Sequence, residues 1–536
     1  MGLNAQQQSA VDCNDKNILC LAGAGTGKTY TMIQRISKIV NSGVSGNSIL
    51  VLTFTNAAAA EMKSRYKSLG IKGFCPEFRT FHSFCYHLIA SDKSVRTKLG
   101  YRSVPSIIDQ YKFKQIKTAT RLSYNIKLSE KQLSDRSKLN MAQSYEAALY
   151  DKALNKSLKS QNLTTFDLIC YEVCKLFVDK DQCISKYLER YKYIFVDEFQ
   201  DTDPKQYDFI TSFKDANLFV VGDALQAIYS FRGADSTIIQ KLSNDDKWTT
   251  IKLYQNYRST SNICNYANSN SVYADNSYRI AIQSDKLGVD VVEFDEHISN
   301  SFDAIIDVKS FKDNILSRFK KLEGSIAILS RTNKEAQALI CELKDNGIQT
   351  NQSDGNDLTL NILKSCLDDT YQIDWLSSTL DVDKYAEYIK LMSLSDDNSV
   401  ENSRHIILQL SKYPNKLKYI FKDIDDIKLV LNSESESTNK ITSIVNILNL
   451  DKDIIVSLQD NSPESIINYI INALESQEPS ELYVGTIHSS KGLEYDNVFL
   501  VGVDSKWFKL GNEDNNNLFY VGITRAKNNL FVGVND

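Results

Sequence analysis

The sequence predicts an α/β protein built from two parallel-sheet domains, each interrupted by a mainly helical insertion. Three observations carry this reading. Short apolar runs of strand length recur in two separate sets, as in sheets buried on both faces. Each set is split by a long polar stretch with few Gly or Pro, which reads as helix. One strand runs into a glycine-rich turn and then a helix-periodic stretch, the strand–turn–helix unit of α/β sheets.

The first set comprises Ile18 to Leu21, Ser48 to Thr53, Tyr193 to Val196 and Asn217 to Gly222. The second comprises Ser325 to Ser330, Leu482 to Thr486 and Asn497 to Val501. A chain of 536 residues has room for roughly three to four domains. The expected division is 1–88 with 176–252 for the first sheet domain and 89–175 for its insertion. The second sheet domain then takes 253–355 with 480–536, and 356–479 is its insertion. No internal repeat is evident, and the Asn-rich stretch Asp514 to Asn517 reads as a loop.

Hydrophobic residues make up 42% and charged residues 24%, the composition of a soluble globular chain. The apolar runs fall far short of the roughly 18 residues of a membrane span. The start MGLNAQQQSA has neither the basic nor the apolar region of a secretory signal. An intracellular location is expected, cytoplasmic in a prokaryote, with nuclear and viral settings left open. Ten Cys carry no paired spacing. Cys170, Cys174 and Cys183 form the only close set and lack a fourth ligand at compatible spacing, so they are expected to pack as small hydrophobes. The net charge of −5 hides an uneven distribution. Residues 93–160 hold 15 Lys and Arg against 5 Asp and Glu, whereas 361–480 hold 11 against 20. A basic insertion suits a phosphate backbone, and a solvated helical surface is the plain alternative.

Ile18 to Leu21 leads into AGAGTGKT, residues Ala22, Gly23, Ala24, Gly25, Thr26, Gly27, Lys28 and Thr29. Such a turn aims backbone N–H groups and a helix N-terminus at phosphate oxygens. Lys28 would neutralise the β- and γ-phosphates, and the Thr29 hydroxyl would bind Mg²⁺. Ala22 stands where the pattern usually has its first Gly. VDEFQDT places Asp197 and Glu198 at the end of a second strand. Asp197 can hold Mg²⁺, and Glu198 can polarise the attacking water. Positive charge for the γ-phosphate could come from Arg258 in QNYRST and Arg525 in YVGITRAK, both read as belonging to the second unit. ATP would then lie between the two sheet domains.

With LNAQQQSAV, AGAGTGKT, TFTNAAAAEM, TFHSF, VDEFQDT, GDALQAIYSFRGA, QNYRS, SIAILSRTN, TIHSSKGLEY and LFYVGITRAK in this order, the chain resembles the UvrD/Rep/PcrA family of superfamily 1 DNA helicases. The motifs span nearly its whole length; the two insertions match only in position. The resemblance implies RecA-like sheet domains, ATP and Mg²⁺ as cofactors, and single-stranded DNA and single-/double-strand junctions as partners. It implies that Gln7 reads the adenine edge, Tyr257 stacks on the base, Gln226 senses the γ-phosphate and Glu494 sits beside the sugar. It also implies that Phe54, Tyr229 and Phe231 stack on bases, and that Thr53, Asn56, His82 and His488 contact the backbone or relay the nucleotide state.

Four departures stand out. Tyr30 follows GKT where relatives often have Arg, EDNNN replaces an EERR-like lead into the last motif, the chain stops about ten residues after Arg525, and the second insertion is short and acidic. The resemblance implies an ATP-dependent helicase or translocase moving 3′ to 5′ in DNA repair, replication or recombination. The compact layout also resembles the UvrD-like subunit of Gabija antiphage systems. That likeness implies instead a nucleic-acid-stimulated ATPase subunit with weak unwinding and a protein partner at the acidic insertion. An unrelated P-loop enzyme such as a kinase would leave the arginine pair and the aromatics unexplained.

Overall fold

The computed structural model describes residues 2–108, 110–129, 132–133, 140–230, 233–235, 237–271, 278–295, 315–319, 321–346, 348, 350, 361–367, 372, 382–393, 395, 399–410, 414–448, 461–475, 482–505 and 508–534. In chain order the strands are β1 (Asn17–Ala22), β2 (Ile49–Thr53), β3 (Glu77–Thr80), β4 (Ser106–Ile107), β5 (Leu163–Thr164), β6 (Tyr193–Val196), β7 (Asn217–Gly222), β8 (Thr249–Leu253), β9 (Val292–Asp295), β10 (Ile326–Ser330), β11 (Leu482–Thr486), β12 (Tyr495–Val503) and β13 (Ala526–Val534). Six of them form a parallel sheet in the order β3-β2-β6-β7-β1-β8. Five form a second sheet, β11-β10-β12-β13-β9, in which β10, β12, β13 and β9 run parallel.

All seven strands expected from sequence are present. β2 (ILVLT) is buried at every position, as a strand covered on both faces must be. One face of the first sheet packs Ile18, Cys20, Val51 and Phe195 against Met32, Ile33 and Ile36 of the helix Lys28–Asn41. The opposite face packs Leu19, Leu50, Leu52 and Val196 against the helices Phe81–Ser91 and Phe166–Val178. Phe81–Ser91 and Asn56–Ser68 each start on a threonine cap, Thr80 accepting from Ser83 N and Thr55 from Ala58 N.

The stretch expected as a basic insertion, 89–175, is structurally heterogeneous. Helices Gln110–Ser123 and Met141–Ser160 enclose a small core of their own around Ile116, Ile126, Tyr150 and Leu154. Helix Phe166–Val178 instead returns to the main core through Ile169, Val173 and Phe177. Among the described residues, no helix is long and apolar enough to cross a membrane.

The chain divides into two compact units, residues 1–346 with 484–536, and residues 347–483. The smaller unit contains helices Val382–Ser393, Val400–Leu410, Pro414–Leu431, Ser437–Ile447 and Pro463–Glu475. Ile407, Ile424, Ile427, Ile444 and Ile470 are fully buried in it, and Arg404 binds both carboxylate oxygens of Asp425 at 2.8 Å.

Candidate active site

In the first sheet β1, β7 and β8 end level with one another, Leu21 beside Gly222 and Ala22 beside Leu253. The turn after β1 therefore opens at the carboxyl edge of the sheet, where α/β folds bind ligands. Gly25 and Gly27 have φ of +67° and +80°, a conformation that glycine adopts without strain. A Cβ on Gly25 would lie 2.7 Å from Asn256 Nδ2, and one on Gly27 would lie 2.9 Å from Gln7 Nε2.

Those close neighbours brace the turn from outside. Asn256 Nδ2 donates to Ala24 O at 2.8 Å, and Tyr257 N donates to Gly25 O at 2.9 Å. Gln7 Nε2 donates to Thr26 O at 3.0 Å while its Oε1 accepts from Asn4 N. The carboxamide expected to read adenine is thus engaged in the capping box of the first helix and in the phosphate loop. Tyr257 is half exposed, its hydroxyl 2.7 Å from Asn4 Nδ2. Tyr520, fully buried, has its hydroxyl 3.5 Å from Ala24 N.

Lys28 Nζ is buried and has no hydrogen-bond partner, as is true of Asp197 Oδ1. Such groups are costly to bury alone, and a Mg²⁺-polyphosphate would satisfy both. The Thr29 side chain hydrogen-bonds Asp197, so hydroxyl and carboxylate converge on one point, as a Mg²⁺ site requires. Burial and the neighbouring Glu198 charge push Asp197 above the usual carboxylate range. Burial works against the Glu198 charge as well, yet Lys28 and Lys491 outweigh it and keep Glu198 ionised. Glu198 adopts φ +50°, a region uncommon for residues other than glycine and typical of functional sites. Gln200 Nε2 donates to its Oε2 at 2.5 Å, and Gln200 Oε1 accepts from Asp223 N.

The two arginines are placed differently from one another. Arg525 is 2% exposed and lies just before β13, held by Val521 O and Leu493 O at 3.0 Å each. Burial, then repulsion from Arg258, lowers it to about 9, so it is still charged at neutral pH. Arg258, read from sequence as part of the second unit, follows the end of β8 at Leu253 and makes its contacts beside β12 and β13. Its Nε meets Glu494 Oε2 at 2.6 Å, and its Nη1 donates to Thr524 O at 3.1 Å. The spacing of residues could not show that Glu494, expected beside the sugar, is the counter-ion of this arginine. Lys527 Nζ lies 3.3 Å from the same carboxylate. Ser259 Oγ donates to Ala526 O at 2.6 Å, which docks the segment after β8 on β13. The stretch Asp514 to Asn517, expected as a loop, lies in the first turns of the helix Glu513–Ile523, and Glu513 pairs with Arg279 at 2.5 Å.

A row of rings lies beside the cleft. Phe54 and Tyr229 stack with centroids 5.1 Å apart, and His488 lies 6.4 Å from Tyr229. Thr53 is buried at the end of β2, and Asn56 is exposed at the start of the next helix. His82 stands further along, 3.3 Å from Asp167. Phe231 lies outside the described residues. Gln226 is buried and turned inward, its Nε2 donating to Asp223 Oδ2 at 2.8 Å.

Sequence reasoning passed over Lys491, which joins the cleft to the row of rings. Its Nζ donates to Asp201 Oδ2 at 2.6 Å and to Gln226 O at 2.9 Å, and lies 4.8 Å from the Tyr229 ring centre. Its only signal was its place in TIHSSKGLEY. Burial raises Asp201 to about 6, against the pull of Lys491.

Residues 3–247 match the UvrD/REP helicase N-terminal domain, and residues 251–359 with 369–536 match the UvrD-like helicase C-terminal domain. Among curated proteins the chain is similar to the ATP-dependent DNA helicase PcrA of Staphylococcus epidermidis, at 27% identity over 99% of this chain and 83% of the relative. It is 28% identical to PcrA of Bacillus subtilis over 99% of this chain and 82% of the relative. The corresponding values for a probable DNA helicase II homolog of Mycoplasma pneumoniae are 27%, 99% and 83%. The two matched domains, N-terminal and C-terminal, follow one another along this chain, which belongs to the UvrD/REP helicase family.

Proposed function

We propose that this chain is an ATP-hydrolysing motor that moves 3′ to 5′ along single-stranded DNA and separates duplex at single-/double-strand junctions. Lys28 and Arg525 would stabilise charge on the transferred phosphoryl group, with Arg258 joining them on release from Glu494. Thr29 and Asp197 would hold Mg²⁺, Glu198 would orient the attacking water, and Tyr257 would face the base. The two sheets would act as RecA-like domains that close on ATP. Phe54, Tyr229 and His488 would carry the strand, and the helices within 89–175 would add phosphate contacts. The relatives' names, ATP-dependent DNA helicases, support this reading.

One observation carries it furthest. Lys491 touches the acidic loop through Asp201, the Gln226 turn, and the face of Tyr229. A change at the phosphates is thereby one side chain away from a base-stacking ring.

The charge of 361–480, 11 basic against 20 acidic residues, favours a second reading as the ATPase subunit of a larger assembly, Gabija-like antiphage defence among them. Strand separation by the purified chain on 3′-tailed and 5′-tailed duplexes decides between them. ATP-dependent unwinding of the 3′-tailed duplex alone is the expected result. Oligonucleotide-stimulated ATPase without unwinding would favour the subunit reading, and ATPase indifferent to oligonucleotide would overturn both.

A further inference from the structure

Far apart in sequence, Cys85 and the pair Cys170 and Cys174 meet where helix Phe81–Ser91 packs on helix Phe166–Val178. Cys183, the third member of the set expected from sequence, is not part of this group. All three sulfurs lie within 4.8 Å of one another, with Cys85 to Cys170 and Cys170 to Cys174 at 4.0 Å. The residues are 0%, 6% and 2% exposed. Tetrahedral zinc with Zn–S bonds of about 2.3 Å sets its sulfurs about 3.8 Å apart. The cluster is therefore within a few tenths of an ångström of a metal-thiolate geometry at two of its edges.

The cluster is reached from one side. Cys170 and Cys174 line a cavity of ≈ 580 Å³ together with His82, Asp167 and Phe54, which gives an ion a way in. His82 lies three residues before Cys85 on the same helix, a spacing that shares a helix face. Its Nε2 is 3.3 Å from Asp167 Oδ1, and it stands outside the group of converging sulfurs.

We propose that Cys85, Cys170 and Cys174 form a trithiolate site for a thiophilic d¹⁰ cation, zinc(II), whose fourth position faces the cavity. Binding converts three thiols to thiolates and releases three protons to solvent, so affinity rises with pH. The ion would clamp helix Phe166–Val178 to helix Phe81–Ser91 at the base of the aromatic row.

The full chain, stripped of metal under reducing conditions, is titrated with Co²⁺ and then Zn²⁺. The expected result is one Co²⁺ per chain with thiolate-to-cobalt charge-transfer absorption, displaced by one equivalent of Zn²⁺. Cys170→Ser and Cys174→Ser should each weaken binding at least ~10-fold, and Cys183→Ser should leave it unchanged. Mass-mapped alkylation of the wild-type chain gives an answer even where a variant fails to fold. Zinc should protect Cys85, Cys170 and Cys174 but not Cys183. Absence of the charge-transfer band in the wild type, wild-type cobalt affinity in Cys170→Ser and Cys174→Ser, or equal alkylation with and without zinc would overturn the site.

Discussion

The phosphate cleft and the row of rings beside it are held by different means. Around the cleft, Gln7, Asn256, Tyr257 and Tyr520 reach the turn at Ala24–Thr26 from separate stretches of chain by directed hydrogen bonds. In the row, Phe54 stacks on Tyr229 and His488 lies 6.4 Å beyond it, so ring faces are presented side by side. Phosphoryl transfer requires charges fixed in advance of reaction, whereas stacking on bases is indifferent to sequence and to small shifts. Directed bonds fix the loop that meets the phosphates, ring faces line the row, and Lys491 touches both regions.

Substitutions within the cleft should have the largest effects. Glu198→Gln is expected to slow ATP turnover by roughly 10²–10⁴-fold, the usual contribution of a general base, while still binding ATP. Lys28→Ala should cost roughly 10²–10³-fold, as for loss of one preorganised charge, and should weaken nucleotide binding too. Phosphate release and binding of a fluorescent nucleotide check both, and near-normal hydrolysis by Glu198→Gln would assign the base elsewhere.

A change in the row should act on binding rather than chemistry. Tyr229→Ala is expected to weaken single-strand affinity by about 1–3 kcal/mol, the stacking energy of one base, with ATPase in the absence of nucleic acid largely kept. Titration with a labelled oligonucleotide measures the first, and loss of basal turnover would place Tyr229 in the cleft instead.

The smallest effect is expected at the basic helix Gln110–Ser123. Replacing Lys112, Lys114 and Lys117 by Gln should flatten the log–log dependence of affinity on salt by about 0.7 for each phosphate that is no longer neutralised. An unchanged slope would return this helix to a solvated surface.

The parts legible in the sequence were those whose cause is local. The phosphate loop was readable because strand, glycine spacing and helix are contiguous, and β2, β6 and β7 because parallel strands buried on both faces are continuously apolar. β3 (EFRT) and β8 (TTIKL) carry polar residues and lie at the two edges of the first sheet, so no apolar run marks them. β13 begins AKNN and becomes apolar only from Leu530. Placement of Arg258 with the second unit was legible from QNYRST, and residues 251–359 match the C-terminal domain, whereas its pairing with Glu494, 236 positions away, was not. Lys491 and Asp201 are 290 positions apart, and Cys85 lies 85 positions from Cys170. No spacing rule reaches across such distances, because tertiary packing alone brings those groups together.

Coupling of the cleft to the row through Lys491 is open to direct measurement. ATPase of Lys491→Met and of wild type, each with and without a single-stranded oligonucleotide and with strand binding measured in parallel, tests it most directly. The variant should still bind the strand, and stimulation by the strand should be lost beyond any fall in basal turnover that follows from removing a charge that helps keep Glu198 ionised. Stimulation at the wild-type level in Lys491→Met would contradict it.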